Sequence, residues 1–146
     1  LIRDVISDIL EIIKVTGMQP KRIIIYTAME WKRNVFSKAV QLHKEGKLDV
    51  PTLTKACMAD ENLRKMGKAV SDLARKVAQD YMRLPVEKIE AVSGLDELAH
   101  LLSAKDFISD EVGYNVEVIS ADDEEKYDPQ NKSKVAVPGK PGIYLE

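Results

Sequence analysis

The sequence is nearly devoid of the residues from which cross-links, metal centres and nucleophilic triads are built. Cys57 is the only cysteine in 146 residues. That excludes an internal disulfide or a cysteine zinc cluster and suits a reducing cytosol. His43 and His100 are the only histidines and stand far apart in sequence, so no metal site is expected. No Ser-His-Asp set is legible. Pro138-Gly139-Lys140-Pro141-Gly142 is glycine-rich but lacks the spacing and following helix of a phosphate-cradling loop. Asp122 and Asp123 are paired acids in a loop, with nothing to desolvate them. No catalytic residue is therefore expected in this chain. No apolar run approaches the ~20 residues of a membrane helix, and no secretory signal is legible. The expectation is a cytoplasmic protein with neither membrane nor DNA as partner.

What the sequence does hold is a core and a charge asymmetry. Apolar residues make up 45% and charged residues 32%, enough for one domain with its own core. The net charge of −2 conceals two opposed stretches. Residues 14–83 carry 15 Lys+Arg against 7 Asp+Glu, whereas residues 84–128 carry 3 against 13. A basic half points to an anionic partner. The plain alternative is a set of helix faces that are simply solvated.

The chain is organised around Pro20 to Gly46. Ile23-Ile24-Ile25-Tyr26 is an unbroken β-branched run, which predicts a strand buried on both faces. Thr27 and Glu30 have capping-box spacing, with Tyr26 and Trp31 placed for a hydrophobic staple. A helix is expected from Ala28 to Glu45, capped by Gly46. Its inner face would carry Trp31, Val35, Phe36, Ala39, Val40 and Leu42, with Lys32, Arg33, Lys38 and Lys44 outside.

Ahead of it, Ile2, Val5, Ile6, Ile9, Ile12 and Ile13 recur at helical spacing, ended by Gly17. No cap precedes that pattern, which predicts a helix (1–18) descending from an upstream domain. Asp49-Val50-Pro51 opens a short helix with Leu53, Ala56 and Cys57 inward, Cys57 serving as a small packed hydrophobe. A long helix is expected from Asp60 to Met82, with Leu63, Met66, Val70, Leu73, Val77 and Tyr81 in one stripe. The stretch 86–92 is ambiguous. Leu95 to Val112 reads as a further helix, through Leu98, Leu101, Leu102, Phe107 and Ile108. Asn115 to Ile119 reads as a second strand and Gly142 to Glu146 as a third, with a mobile polar loop from Asp122 to Lys134 between them. The fold class is α/β, bordering α+β: a small three-stranded sheet packed by about five helices.

Two features favour a nucleic-acid surface over solvated helix faces. Lys32 and Arg33 lie in the early turns of a helix, where the macrodipole disfavours cations. Thr27-Ala28-Met29 lies at the carboxyl end of a buried strand and at a helix N-terminus, the usual ligand edge of open α/β sheets. Lys32, Arg33 and Lys38, with Arg64 and Lys68, would meet phosphates without base selectivity.

Several stretches resemble one family. Ile2-Arg3-Asp4-Val5-Ile6-Ser7-Asp8-Ile9, Pro20-Lys21-Arg22-Ile23 with Tyr26-Thr27-Ala28 and Glu30-Trp31-Lys32, Leu63-Arg64-Lys65 with Gly67-Lys68, Lys105-Asp106-Phe107 with Gly113, and Lys140-Pro141-Gly142-Ile143-Tyr144-Leu145-Glu146 are similar, in order, to the C-terminal region of archaeal leucyl-tRNA synthetases. The resemblance implies a tRNA-recognition domain (19–146) that docks on the long variable arm of tRNA-Leu. Aminoacylation, with its ATP and magnesium, would belong to upstream domains of the same chain; no cofactor is expected here. It also implies RNA contacts at Leu145 and Glu146 and at Tyr26 to Met29. Were the last strand parallel to the first, these two groups would share one sheet edge. Lys65-Met66-Gly67-Lys68 has the look of the lysine-rich nucleotide loop of class I synthetases. It is set aside, because Met66 is assigned to the apolar stripe, the surroundings read as helix, and no His-x-Gly-His partner occurs. The competing class is an interaction module whose basic half binds an acidic protein or generic RNA.

Overall fold

In a computed structural model, residues 1–85, 87 and 96–146 are described. Apart from Glu87, the ambiguous stretch 86–92 lies outside them, as does the expected helix start at Leu95. The chain forms two compact units: residues 1–29 with 96–146, and residues 30–95.

The first unit holds α1 (Ile2–Thr16), β1 (Ile23–Thr27), α6 (Glu97–Val112), β2 (Val116–Ser120), a 3-10 turn (Lys132–Val135) and β3 (Gly142–Leu145). The strand order is β2-β1-β3, with β1 central. Every residue of β1 is buried, as the unbroken apolar run predicts. On one face, Ile23 and Ile25 meet Val5 and Ile9 of α1, Leu101, Ile108 and Val112 of α6, and Val116 of β2. On the other, Ile24 and Tyr26 pack with Tyr144 and Ile119. Gly17 and Gly113 close α1 and α6 in the left-handed conformation, each N–H returning to the preceding turn.

β2 runs parallel to β1, in the register Ile23↔Val116 to Thr27↔Ser120. β3 runs antiparallel, pairing Ile23 with Leu145 and Tyr26 with Gly142. This overturns the parallel last strand weighed in the sequence. The reason is topological. The chain leaves β2 beside Thr27, passes over β1 and enters β3 beside Tyr26, at the same end of the sheet. A parallel β3 would require the connection also to return along the length of the sheet. The polar connection is not featureless either. The Asp128 carboxylate accepts from the N–H groups of Lys132 and Ser133 and from the Ser133 hydroxyl. Val137 and Lys140 then exchange backbone hydrogen bonds in a tight return.

The second unit contains α2 (Glu30–Lys44), α3 (Val50–Ala59), α4 (Glu61–Arg64) and α5 (Lys68–Tyr81). Val35, Phe36, Ala39 and Val40 form the buried stripe of α2. Asp49 caps α3 through the Thr52 N–H at 2.7 Å, ahead of Pro51, and Leu53 and Cys57 face inward. Asp60 caps α4. Phe36 and Tyr81 meet edge to face, with centroids 5.4 Å apart.

Five sequence expectations give way here. The long helix breaks, because Gly67 adopts φ 54 and ψ −114 between α4 and α5. Only glycine takes that conformation cheaply, and Met66 leaves the stripe to stand 40% exposed. α2 starts at Glu30 rather than Ala28, since Thr27 is still paired with Ser120 in the sheet. Glu30 therefore stands in the first turn, short of the third helical position that a capping box with Thr27 requires. Lys32 is buried, not outside. Leu102 and Phe107 are exposed rather than in the core, because the apolar residues that α6 buries are confined to the narrow Leu101–Ile108–Val112 seam.

Candidate nucleic-acid interface

The residues singled out in the sequence divide between the two units. In the first, Tyr26, Thr27 and Ala28 are buried and Met29 is half-buried, at the carboxyl end of β1. Leu145 and Glu146 lie at its opposite end. The Glu146 N–H donates to the Arg22 carbonyl at 2.9 Å, and its carbonyl accepts from Lys21 N–H. Strand rise puts roughly 16 Å between Ile23, opposite Leu145, and Ala28. The two groups therefore do not form one edge along the backbone.

The side chains bridge part of that gap. Arg22, just ahead of β1, shares one face with Ile24 and Tyr26, the face away from α1 and α6. The Tyr26 hydroxyl donates to the Tyr127 carbonyl, and burial pushes its pKa up to about 12. The Tyr127 hydroxyl in turn donates to a Glu146 carboxylate oxygen, which pushes its own pKa up to about 12. The Arg22 guanidinium lies 4.5 Å from the Tyr127 ring centroid and donates to Glu117. The Tyr127 ring meets Tyr144 at 6.3 Å and 64°. Arg22, Glu117 and Tyr127 were missed in the sequence. Arg22 did carry a signal, being two and four residues from Ile24 and Tyr26 on a strand of period 2. Tyr127 carried none, lying within a polar loop.

In the second unit, Arg33, Arg64 and Lys68 are exposed and Lys38 is half-buried. Arg64 and Lys68 flank the turn at Gly67, whose N–H donates to the Arg64 carbonyl at 3.1 Å. Lys38 faces Asp60 at 3.9 Å. The Lys32 ammonium lies 5.7 Å from the Trp31 ring centroid, and desolvation lowers its pKa. Its place among the exposed phosphate-facing cations is thus lost. The basic surplus itself belongs to this unit: residues 30–95 carry 13 Lys+Arg against 9 Asp+Glu, while the first unit carries 9 against 15.

No protein-family model matches the chain. Individual relatives do. The leucine–tRNA ligase of Methanococcoides burtonii is 43% identical across the whole chain, and that of Methanosarcina acetivorans 38% across 99% of it. The Pyrococcus abyssi leucine–tRNA ligase is 34% identical over 99% of the chain. The chain belongs to the archaeal-type leucyl-tRNA synthetases. It corresponds to their C-terminal domain, and spans about 15% of the length of the first two relatives. The leucyl-tRNA synthetase resemblance read from the sequence is thereby borne out, as is the α/β class with its three-stranded sheet. No helix among the described residues is long and apolar enough to cross a membrane. Among those residues, no three His, Cys, Asp or Glu side chains are grouped to hold a metal ion.

Proposed function

We propose that this chain is the tRNA-recognition module of a leucyl-tRNA synthetase, docking on the long variable arm of tRNA-Leu in the cytoplasm. Leucylation, with its ATP and magnesium, would proceed in the rest of the parent chain, to which α1 would connect this module. The observation that carries this reading is the match over the whole chain to leucine–tRNA ligases.

The chemistry divides the work between the two units. Arg33, Arg64 and Lys68 contact phosphates, which supplies salt-dependent affinity without base selectivity. Lys38 contributes less, since Asp60 already faces it. The Leu145–Glu146 segment reads unstacked bases at the arm's tip, through its backbone groups and carboxylate. Tyr26 to Met29 are mostly buried, so their part is support of the sheet edge rather than broad RNA contact.

The test is a titration of the full-length protein with tRNA-Leu, intact or lacking its variable arm, at two salt concentrations. Tighter binding of the intact tRNA at both salts supports the reading. Arm-independent binding of any RNA would identify a generic basic surface, and loss of all RNA binding would favour a protein-interaction module.

A further inference from the structure

Glu146 is fixed on both sides of its backbone. Its N–H donates to Arg22, and its carbonyl accepts from Lys21 and Arg22. Its carboxylate is held as well, by the Tyr127 hydroxyl. Tyr127 is itself braced three ways. Its carbonyl takes the Tyr26 hydroxyl, its ring lies against Arg22, and its edge meets Tyr144. Arg22 is aimed by Glu117. Tyr127 remains 41% exposed, so the arrangement sits at the surface rather than inside the core. The Tyr26 hydroxyl bond satisfies a buried polar group, whereas the Tyr127–Glu146 bond lies at the surface and satisfies none. A conformationally fixed carboxylate at an exposed sheet edge is what base discrimination needs, since a floating one loses its advantage in ordering cost.

We propose that Tyr127, braced by Arg22, is a positioning residue for RNA specificity, which orients Glu146 before the RNA arrives. The loop between β2 and the 3-10 turn thereby takes part in discrimination, although it is strongly acidic, with Lys126 its only cation. Its run Asp122-Asp123-Glu124-Glu125 repels the backbone, which confines contact to base edges. The inference rests on the reading of Leu145–Glu146 as an RNA contact.

Tyr127→Phe keeps the ring, the Arg22 contact and the Tyr144 packing, and removes only the hydroxyl that donates to Glu146. In the full-length enzyme, leucylation of tRNA-Leu with its native arm tip should show KM raised about tenfold, the scale of one hydrogen bond to a charged group. The value of kcat should be unchanged, as should KM for a tRNA whose arm tip has been replaced. Tyr127→Phe added to Glu146→Ala should cost nothing beyond Glu146→Ala alone. Equal KM for variant and parent on the native tRNA overturns the inference, as does an equal rise on both tRNAs, which marks a merely structural role. Deletion of Leu145 and Glu146 separates the levels. If deletion abolishes discrimination while Tyr127→Phe does not, only the positioning role is lost. If deletion changes nothing, the RNA-contact reading fails and the inference with it.

Discussion

Single residues fix the sheet edge on which the RNA reading depends. Gly142 opens β3 directly against the 3-10 turn, and a Cβ there would overlap the Lys132 carbonyl oxygen. The obstacle is backbone, which cannot swing aside. Gly142→Ala should therefore destabilise the protein by about 1–3 kcal/mol, the cost of overpacking a filled site. Chemical denaturation would measure it, and an unchanged midpoint would mean the turn yields more easily than its contacts imply. The tyrosines make a pH prediction. Tyr26 and Tyr127 titrate at about 12 when folded, against about 10 when unfolded. A raised phenol pKa means the fold favours the neutral form. That stability is fully present below pH 10 and is lost as pH rises through 12. Phenolate absorbance should rise for these two groups only near pH 12, together with loss of the β3 edge. Titration at the ordinary tyrosine pKa would contradict the Tyr26–Tyr127–Glu146 chain. At this scale the sequence was a partial guide. The buried Ile23–Ile25 run was legible because burial on both faces has a compositional signature. Lys32 was misread because helical spacing says which residues share a face, not how deeply that face is covered. Tyr127 and Arg22 were invisible as a pair, since their partners lie 19 and 95 residues away in sequence.

Elements were easier to read than their breaks and directions. Helix stripes and the caps at Gly17, Gly46 and Gly113 follow from apolar spacing and glycine, and these glycines all take positive φ. The interruption at Gly67 was hidden because Leu63, Met66 and Val70 keep helical register straight through it. Only the glycine itself hinted otherwise. Its conformation is open to almost no other residue, so Gly67→Ala should cost about 1–3 kcal/mol. It should also shift Arg64 and Lys68, which the turn holds together. Paired stability and tRNA-affinity measurements on this variant should both fall. Stability lost without any change in affinity would take those cations out of the interface. The direction of β3 was likewise illegible, for alternation of apolar residues identifies a strand but not its sense. Only the pairing of Ile23 with Leu145 and Tyr26 with Gly142 reveals it.

For the whole molecule, the charge asymmetry seen in the sequence becomes a division between units. The unit of residues 30–95 holds the basic surplus, while the sheet unit is acidic. Under the proposed function they have different tasks, phosphate attraction in one and base discrimination in the other. Arg64→Glu with Lys68→Glu should weaken tRNA binding and lessen its salt dependence, by a log–log slope of about 1.5 if both meet phosphates. The preference for the native arm should survive that change. What the sequence conveyed at this scale was the family and the surplus of charge. Which cations remain on the surface required the packing, as Lys32 in its buried place and Lys38 beside Asp60 make plain.

The most direct measurement is the ratio of affinities of the full-length protein for tRNA-Leu with and without its variable arm, before and after deletion of Leu145 and Glu146. The expected result is a strong preference for the intact tRNA that the deletion removes, while the salt dependence set by the other unit persists. A ratio near one in the undeleted protein, or a ratio indifferent to the deletion, would contradict it.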